Sequence, residues 1–184
     1  MSENVITPKF RVSYPNVFRA RKNDLNGKDE YSVVALFAKG ENLSVLKAAA
    51  QAAAKEKWGD KMPKNLRSPF RDQGEREKDG KLPEGLEAGA IFINLKSQQR
   101  PGLVDGNRQA IIDENDLYAG CYARAQVRAY AYEQKGNTGV AFGLQNLQKM
   151  GEGEPLSSRV KAEDAFEPVA GASVGGGSPG GVFD

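Results

Sequence analysis

The chain has 184 residues, with 26 Lys and Arg, 24 Asp and Glu, one cysteine and no histidine. A domain of roughly 150 residues buries about 70% of its unfolded surface, so one domain with an extension is expected. The lack of histidine excludes Ser–His and Cys–His nucleophilic pairs and His-containing zinc sites. No apolar run approaches the roughly 18 residues of a membrane span, and no charged-then-apolar leader is present. We therefore expect a soluble, intracellular protein without a membrane partner.

Charge and composition both change after residue 150. The last 34 residues hold 2 of the 26 basic and 6 of the 24 acidic residues, so the preceding 150 carry 24 basic against 18 acidic residues. The last segment is also rich in Gly and Ser, with too little apolar surface to offset the entropy of ordering. The sequence predicts a basic domain over 1–150 and a flexible acidic tail over 151–184, which could compete with a polyanion for the same basic groove.

Two strands are predicted in the first 40 residues. KFRVSY places Phe10, Val12 and Tyr14 on one face, which we expect to point inward, and Pro15 is expected to break or end this strand. Residues 31–38, YSVVALFA, are apolar or β-branched at nearly every position. That pattern predicts a strand covered on both sides.

Phe18 is the first candidate binding residue, with Arg19 and Arg21 close behind it in sequence. Its ring belongs either to the core or to a surface where it is presented beside these cations, and the sequence does not favour one over the other. A run of charge by itself is usually only a solvated face.

A helix is predicted after residue 42, where Asn42 is a plausible N-cap and Gly59 supplies the C-terminal stop. Apolar residues recur between them at intervals of three and four, as one face of a helix requires. They are Leu43, Leu46, Ala50, Ala54 and Trp58, and we expect Trp58 to be a core residue rather than a stacking platform.

Residues 59–88 contain three prolines and balanced charge, which predicts a long functional or disordered loop. Phe70 and Arg71 could reach a bound strand as a ring beside a cation. Four carboxylates raise a metal hypothesis, but Arg76 and Lys78 would neutralise them and no calcium-loop spacing is met. We therefore expect no metal, no cofactor and no catalysis here. The four carboxylates are Asp72, Glu75, Glu77 and Asp79.

Another strand is predicted over 90–97, AIFINLKS, where Phe92 and Lys96 share the face opposite the three aliphatic residues. This face again combines a ring with a cation. Arg100 follows in an exposed loop, and residues 109–112 are expected to start a short strand.

The clearest pattern is GCYARAQVRAYAYE, residues 120–133, which alternates strictly at period two. One face is small and apolar and includes Cys121, which we interpret as a buried hydrophobe in a reducing compartment. The other face offers rings on which unpaired bases can stack and guanidinium groups for phosphates, which indicates a single-stranded nucleic acid as ligand. This second face consists of Tyr122, Arg124, Gln126, Arg128, Tyr130 and Tyr132.

Two other interpretations of this stretch are an ordinary solvated strand and an amphipathic helix. The strict alternation disfavours a helix, and QKGNTG followed by Val140, Phe142 and Leu144 is typical of a hairpin turn and its return strand.

Several segments together resemble the single-stranded DNA-binding proteins of tailed bacteriophages. They are RVSYPNVF, YSVVALFAK, RPGLVDG, LYAGCYARAQVRAYAY and GNTGVAFGLQNLQKMGEGEPLSSR running into AEDAF, spread over residues 11–166. The resemblance implies an OB-like β-barrel that binds single-stranded DNA without sequence preference during phage replication or recombination, and no catalysis. It also implies action in the cytoplasm of the infected bacterial host. We expect an elaborated barrel, since the predicted helix follows the second strand rather than the third.

Two other functions stay open from the sequence: single-strand annealing, with oligomers forming on DNA, and a phage assembly module that docks protein. A nuclease ranks last. The tail ends in Val182, Phe183 and Asp184, a hydrophobic tip with a free carboxylate that either binds phage or host replication proteins or is a simple disordered end.

Overall fold

A computed structural model describes residues 3–24, 26–156 and 162–170. This part of the chain is mainly β with one helix of several turns, as the sequence predicts, and it also contains one very short helix. None of its helices is long and apolar enough to cross a membrane. The strands are β1 (Asn4–Ile6), β2 (Phe10–Lys22), β3 (Asp29–Leu36), β4 (Arg71–Asp72), β5 (Ile91–Ser97), β6 (Gly102–Val104), β7 (Tyr122–Gln134) and β8 (Asn137–Gly151), and the helices are α1 (Ser44–Trp58) and α2 (Ala162–Ala165).

Five strands pair in a closed ring in the order β2, β3, β5, β8, β7 and back to β2. The pairings are antiparallel except for β5 with β8, which run parallel. β7 and β8 form a long hairpin, while the short strands β1, β4 and β6 extend β7, β5 and β8 respectively. The ring gives each strand an inner face and an outer face.

The hydrophobic core lies inside this ring. It is closed by α1, whose buried residues are Leu46 and three alanines. α1 packs on β7 and β8. The inward residues of β7 are mostly alanine, and such short side chains let the helix approach the sheet closely.

The expectation that Pro15 ends the first strand is wrong. β2 runs through it to Lys22, with register shifts against β3 on both sides of Asn16. Proline has no N–H to donate, and a bulge is a place where no ladder hydrogen bond is required of it. Phe10 and Val12 are buried as predicted, but at the bulge Ser13 is buried and Tyr14 is 63% exposed at a φ of 44°, so Tyr14 does not point inward.

The long loop is more ordered than predicted, because one glutamine ties it to the sheet. Gln73 is 2% exposed and begins a 3₁₀ turn. Its Nε2 donates to the carbonyls of Phe37 and Ile91, and its Oε1 accepts from the N–H of Glu87, all at 2.9 Å. Each of these buried polar groups is thereby satisfied, which fixes the loop over the end of β5.

The carboxylates of this loop serve the backbone and a neighbouring arginine. Asp72 Oδ1 accepts from the N–H groups of Gly74 and Gly89, and the pKa of this carboxyl is lowered chiefly by those bonds. Glu75 pairs with Arg71 at 2.8 Å. Within the described ranges, no group of three Cys, Asp or Glu residues could hold a metal ion.

Two local predictions need correction. Residues 109–112 form no strand; Ala110 makes an isolated bridge to Val104, and the strand in this region is β6. The N-cap of α1 is Leu43 rather than Asn42, whose Oδ1 accepts from the N–H of Ser44.

Residues 152–156 lie on the body of the fold immediately after β8. The N–H of Leu156 donates to the carbonyl of Ala119 at 2.9 Å, and the hydroxyl of Tyr118 donates to the carbonyl of Gly153 at 3.0 Å. We call residues 152–156 the strap. The predicted tip, Val182, Phe183 and Asp184, lies outside the described residues.

Candidate nucleic-acid interface

The alternation of residues 120–133 is confirmed as that of a strand, because β7 buries one face and exposes much of the other. Ala123, Ala125, Val127 and Ala129 are at most 1% exposed. The opposite side chains point outward, with the two arginines and Tyr130 exposed and the other members half-buried. The apolar face of β7 packs in the core, so the side chains of the opposite face are not needed to fill the interior of the ring of strands.

Tyr130 and Tyr132 lie side by side on this outer face. Their ring centroids are 6.5 Å apart and the ring planes are inclined by 54°. Tyr130 is 45% exposed, and partial burial is the main cause that raises the pKa of its hydroxyl, with smaller contributions from Glu30 and Tyr132. The hydroxyl of Tyr130 therefore stays neutral at physiological pH, and its ring can stack without placing negative charge beside a phosphate.

Glycines of β8 make room for these rings. Gly139 pairs with Tyr132, and a Cβ at Gly139 would lie 2.5 Å from the hydroxyl oxygen of Tyr132. Gly143 pairs with Arg128, and a Cβ there would lie 3.9 Å from the Cε1 atom of Tyr130. Both rings thus lean over the backbone of β8. A glycine inside a strand indicates a bulge or the close approach of a neighbouring backbone, and the approach of the Tyr130 ring to Gly143 cannot be predicted from that pattern.

The cations of the outer face are oriented by neutral partners. Arg124 Nε donates to Gln148 Oε1 at 2.8 Å, and Arg128 Nε donates to Asn4 Oδ1 at 3.2 Å. Within the described part of the chain, neither arginine is in an ion pair. Their positive charge is therefore not cancelled by a carboxylate.

Lys96 adds a further positive charge on β5, two strands away from the arginines of β7. Gly143 of β8 lies between Arg128 on β7 and Lys96 on β5 in the strand register. Adjacent strands are about 4.8 Å apart, so the two cations flank the glycine at roughly 10 Å from each other at the backbone. Tyr130 leans over the same glycine, which places a ring between two cations.

Tyr122 is at the other end of β7 and is half-buried. The Nζ of Lys9 lies 5.2 Å from its ring centroid, a cation–π contact that the sequence does not reveal. A Cβ at Gly153 of the strap would lie 3.0 Å from Cε2 of the Tyr122 ring. Tyr122 is therefore packed against the strap on one side.

Three predicted rings do not lie open on the surface. Phe92 is 0% exposed, so its assignment as a stacking ring is wrong. Its parity does place it outward, but the side chains of Arg71 and Arg76 cover it, with their guanidinium carbons 5.3 Å and 4.9 Å from its centroid. Phe70 packs edge-on against Phe142 at 5.9 Å, and Phe18 is half-buried against the core.

The remaining predicted cations divide into two groups. Arg19 pairs with Glu114 at 3.2 Å and Arg71 pairs with Glu75, so part of their charge is already compensated. Exposed pairs of this kind are weak and are readily exchanged for another anion. Arg21 and Arg100 are exposed and in no ion pair with the residues that the structure describes.

A closed ring of strands with tyrosines and uncompensated cations on one outer face is an arrangement suited to single-stranded nucleic acid. A family model described as the ssDNA-binding protein of Enterobacter phage Enc34 matches residues 3–174. The chain belongs to this family of phage single-stranded DNA-binding proteins, which confirms the resemblance found in the sequence.

The chain is also similar to individual phage proteins. The chain is 26% identical over 154 residues to protein p50 of Acyrthosiphon pisum secondary endosymbiont phage 1, covering 80% of this chain and 83% of that protein. Its fold is similar to that of the single-stranded DNA-binding protein from bacteriophage Enc34 in complex with ssDNA. For that structure the TM-score is 0.69 at 17% identity, over 84% of this chain and 89% of the other.

A more distant structural relative is gp2.5, a single-stranded DNA-binding protein encoded by bacteriophage T7. The TM-score is 0.57 at 13% identity, over 96% of this chain and 100% of gp2.5. At this level of identity the likeness concerns the fold alone.

Proposed function

We propose that this chain binds single-stranded DNA without sequence preference through the outer face of β7, and coats and protects the strand during phage replication or recombination. The observation that carries the proposal is the row in which Arg128, Gly143 and Lys96 lie side by side with the Tyr130 ring above the glycine. Rings that accept any base and cations that hold any phosphate give affinity without readout of sequence. The site of action would be the cytoplasm of the infected host.

The ring of strands supports an OB-like barrel as the scaffold. Numbered within the ring, the strands β2, β3, β5, β7 and β8 are paired in the order 1-2-3-5-4-1, and the third and fifth run parallel. A barrel of this kind closes its sheet edges and leaves an outer strand face and two hairpin loops for the ligand. The helix lies between the second and third ring strands, as the sequence pattern indicates, so the barrel is an elaborated one.

A binding role without catalysis is favoured by the chemistry of the outer face. It offers phenol, guanidinium, amide and amine groups, none of which is an efficient general base while protonated or hydrogen-bonded. The sequence holds no histidine that could take this role. In the proposed role the protein acts by binding along single-stranded DNA and shielding it from other proteins.

Fluorescence titration with single-stranded and double-stranded oligonucleotides at two salt concentrations tests the proposal. We expect tighter binding of the single strand and a strong loss of affinity with salt, because phosphate contacts release counterions. Replacing Tyr130 and Arg128 together by alanine should weaken single-strand binding by about 1–3 kcal/mol from the ring alone. Affinity unchanged by this double substitution would contradict the assignment, and a gel assay for pairing of complementary strands would show annealing.

A further inference from the structure

The outer side of β3 carries one carboxylate, that of Glu30. Val33 and Ala35 are fully buried, so the residues of the opposite parity, which include Glu30 and Ser32, face outward. Glu30 and Ser32 are both half-buried. Since they are two residues apart on one strand, their backbones are separated by about 6.6 Å and their side chains are neighbours on one surface.

This carboxylate lies close to the tyrosine of the proposed DNA-binding face. Ser32 pairs with Lys96 of β5, and Lys96 pairs with Gly143 of β8, over which the Tyr130 ring leans. The ring therefore extends from β7 toward β3. The pKa of its hydroxyl is raised chiefly by burial and next by the charge of Glu30, so that charge reaches the end of the ring. Glu30, Lys96 and Tyr130 thus form one cluster on the outer face.

Two asparagines orient the Glu30 carboxylate without cancelling its charge. Asn23 Nδ2 donates to Oε2 at 2.9 Å, and Asn26 Nδ2 donates to Oε1 at 3.2 Å. Arg21 is opposite Glu30 in the strand register, yet no ion pair joins Glu30 to a cation in the part of the chain that the structure describes. Each carboxylate oxygen keeps a lone pair for a further donor. Glu30 is therefore an oriented acceptor with uncompensated charge.

A strand bound on this face would turn a base rather than a phosphate toward Glu30, because two negative groups repel each other. Cytosine, adenine and guanine each carry an exocyclic amino group, which is a hydrogen-bond donor. Thymine has the O4 acceptor where cytosine has its amino group. A cytosine that stacks on Tyr130 can therefore gain a hydrogen bond to Glu30, whereas a thymine would place one acceptor against another.

We propose that Glu30 gives this face a preference for bases with an amino group over thymine, by accepting a hydrogen bond from the base that stacks on Tyr130. The preference concerns one base position, and the phosphate contacts hold a strand of any sequence. The inference rests on the proposed function and names the kind of base that its ring binds best.

The test compares the affinities for oligonucleotides of dC and dT of equal length at neutral pH. The wild type should bind dC more tightly by about twofold to about tenfold, the worth of one hydrogen bond at a partly exposed site. Glu30→Gln should remove most of this difference, because an amide offers a donor as well as an acceptor. Loss of the negative charge should also strengthen the binding of both strands, so the result is the ratio of the two affinities.

Two modified pyrimidines separate the amino group from the methyl group that also distinguishes thymine. An oligonucleotide of 5-methyl-dC keeps the amino group and should bind like dC. One of dU has O4 without the methyl group and should bind like dT. Binding of 5-methyl-dC like dT would overturn the proposal, as would equal affinities of the wild type for all four ligands. This comparison needs no variant, so it remains decisive even if Glu30→Gln alters the loop that holds Asn23 and Asn26.

Asp29→Asn is the matched control for the change of charge. Asp29 is exposed and adjacent to Glu30 in sequence, but it has the parity of Val33 and so lies on the other side of β3. This control should change the affinities for dC and dT by the same factor and leave their ratio as in the wild type. An equal change of the ratio by both variants would overturn the proposal, and so would an unchanged ratio in a Glu30→Gln protein with the thermal midpoint of the wild type.

Failure of the base preference is distinguishable from failure of the proposed function. If only the preference is wrong, the wild type binds dC and dT equally, and the substitutions at Tyr130 and Arg128 weaken both. If the function itself is wrong, the wild type shows no affinity for either strand even at low salt, where electrostatic binding is strongest.

Discussion

Replacement of Arg128 by alanine should reduce the salt dependence of DNA binding by one phosphate contact. Arg128 uses its Nε to bond Asn4, which orients the side chain, and it is in no ion pair with the described residues. Each contact to a single strand contributes about 0.7 to the slope of log affinity against log salt. Between 50 mM and 200 mM salt, a slope lower by about 0.7 corresponds to a difference of about 2.6-fold. The affinity lost by Arg128→Ala at the lower salt should therefore shrink by that factor at the higher salt.

The measurement is a titration of one fluorescent oligonucleotide at four or more salt concentrations, with the slope as the result. Lys47→Ala is the matched control, because Lys47 is an exposed cation on α1, which packs on the inner side of β7. This control changes the net charge by the same amount and should leave the slope unchanged. Equal slopes for the wild type and Arg128→Ala would refute the assignment of a phosphate contact, and so would equal reductions by both substitutions.

Three further predictions concern the glycines beside Tyr130 and Tyr132, the strap and the long loop. Gly139→Ala should lower both the stability and the single-strand affinity, because the added Cβ displaces the Tyr132 ring. Gly143→Ala should be tolerated, because its Cβ would have no neighbour closer than 3.7 Å. Thermal unfolding measures the stability of both variants and titration measures their affinity. A chain that ends at Met150 lacks the strap and should melt below one that ends at Leu156, by about 2–4 °C for each 1 kcal/mol that the strap contributes to stability. Both shortened chains lack the acidic residues after position 156 and should bind single strands more tightly than the full chain at low salt. Because the pKa of Asp72 is lowered in the folded state, its stabilisation is complete above its ordinary pKa and is lost as the pH falls through the folded value. Asp72→Ala should therefore flatten the loss of thermal stability below about pH 4.

The sequence is most informative where a pattern repeats along one strand. In β7 the alternation of alanine with tyrosine or arginine predicts the strand, its buried face and its exposed face together, because each side chain is sorted by a period that the backbone imposes. The apolar stripe of α1 follows from a helical period in the same way. β3 is predicted from an unbroken apolar run instead, and within it only Val33, Ala35 and Leu36 are buried, so its outer face is less covered than predicted. These elements are set by local geometry, and tertiary contacts only reinforce them.

The errors occur where a distant segment changes the environment of a residue. Phe92 faces outward by parity, but residues 71–76 fold over it, and nothing in the local sequence signals that cover. Gln73 is an uncharged polar residue in a highly charged loop, and its burial depends on carbonyls from two other segments. Tyr14 is moved from the inner to the outer side by a bulge, since one additional residue reverses the faces of a strand.

The position of Cys121 has a practical use for the study of this protein. It is the only cysteine in the sequence, is 0% exposed, and has a thiol whose pKa is raised chiefly by burial. Since the thiolate is the reactive form, this sulfur should resist maleimides and other alkylating reagents while the protein stays folded. A second cysteine introduced at an exposed position could then be labelled selectively in the otherwise native chain, and a dye placed there would report the approach of a bound strand.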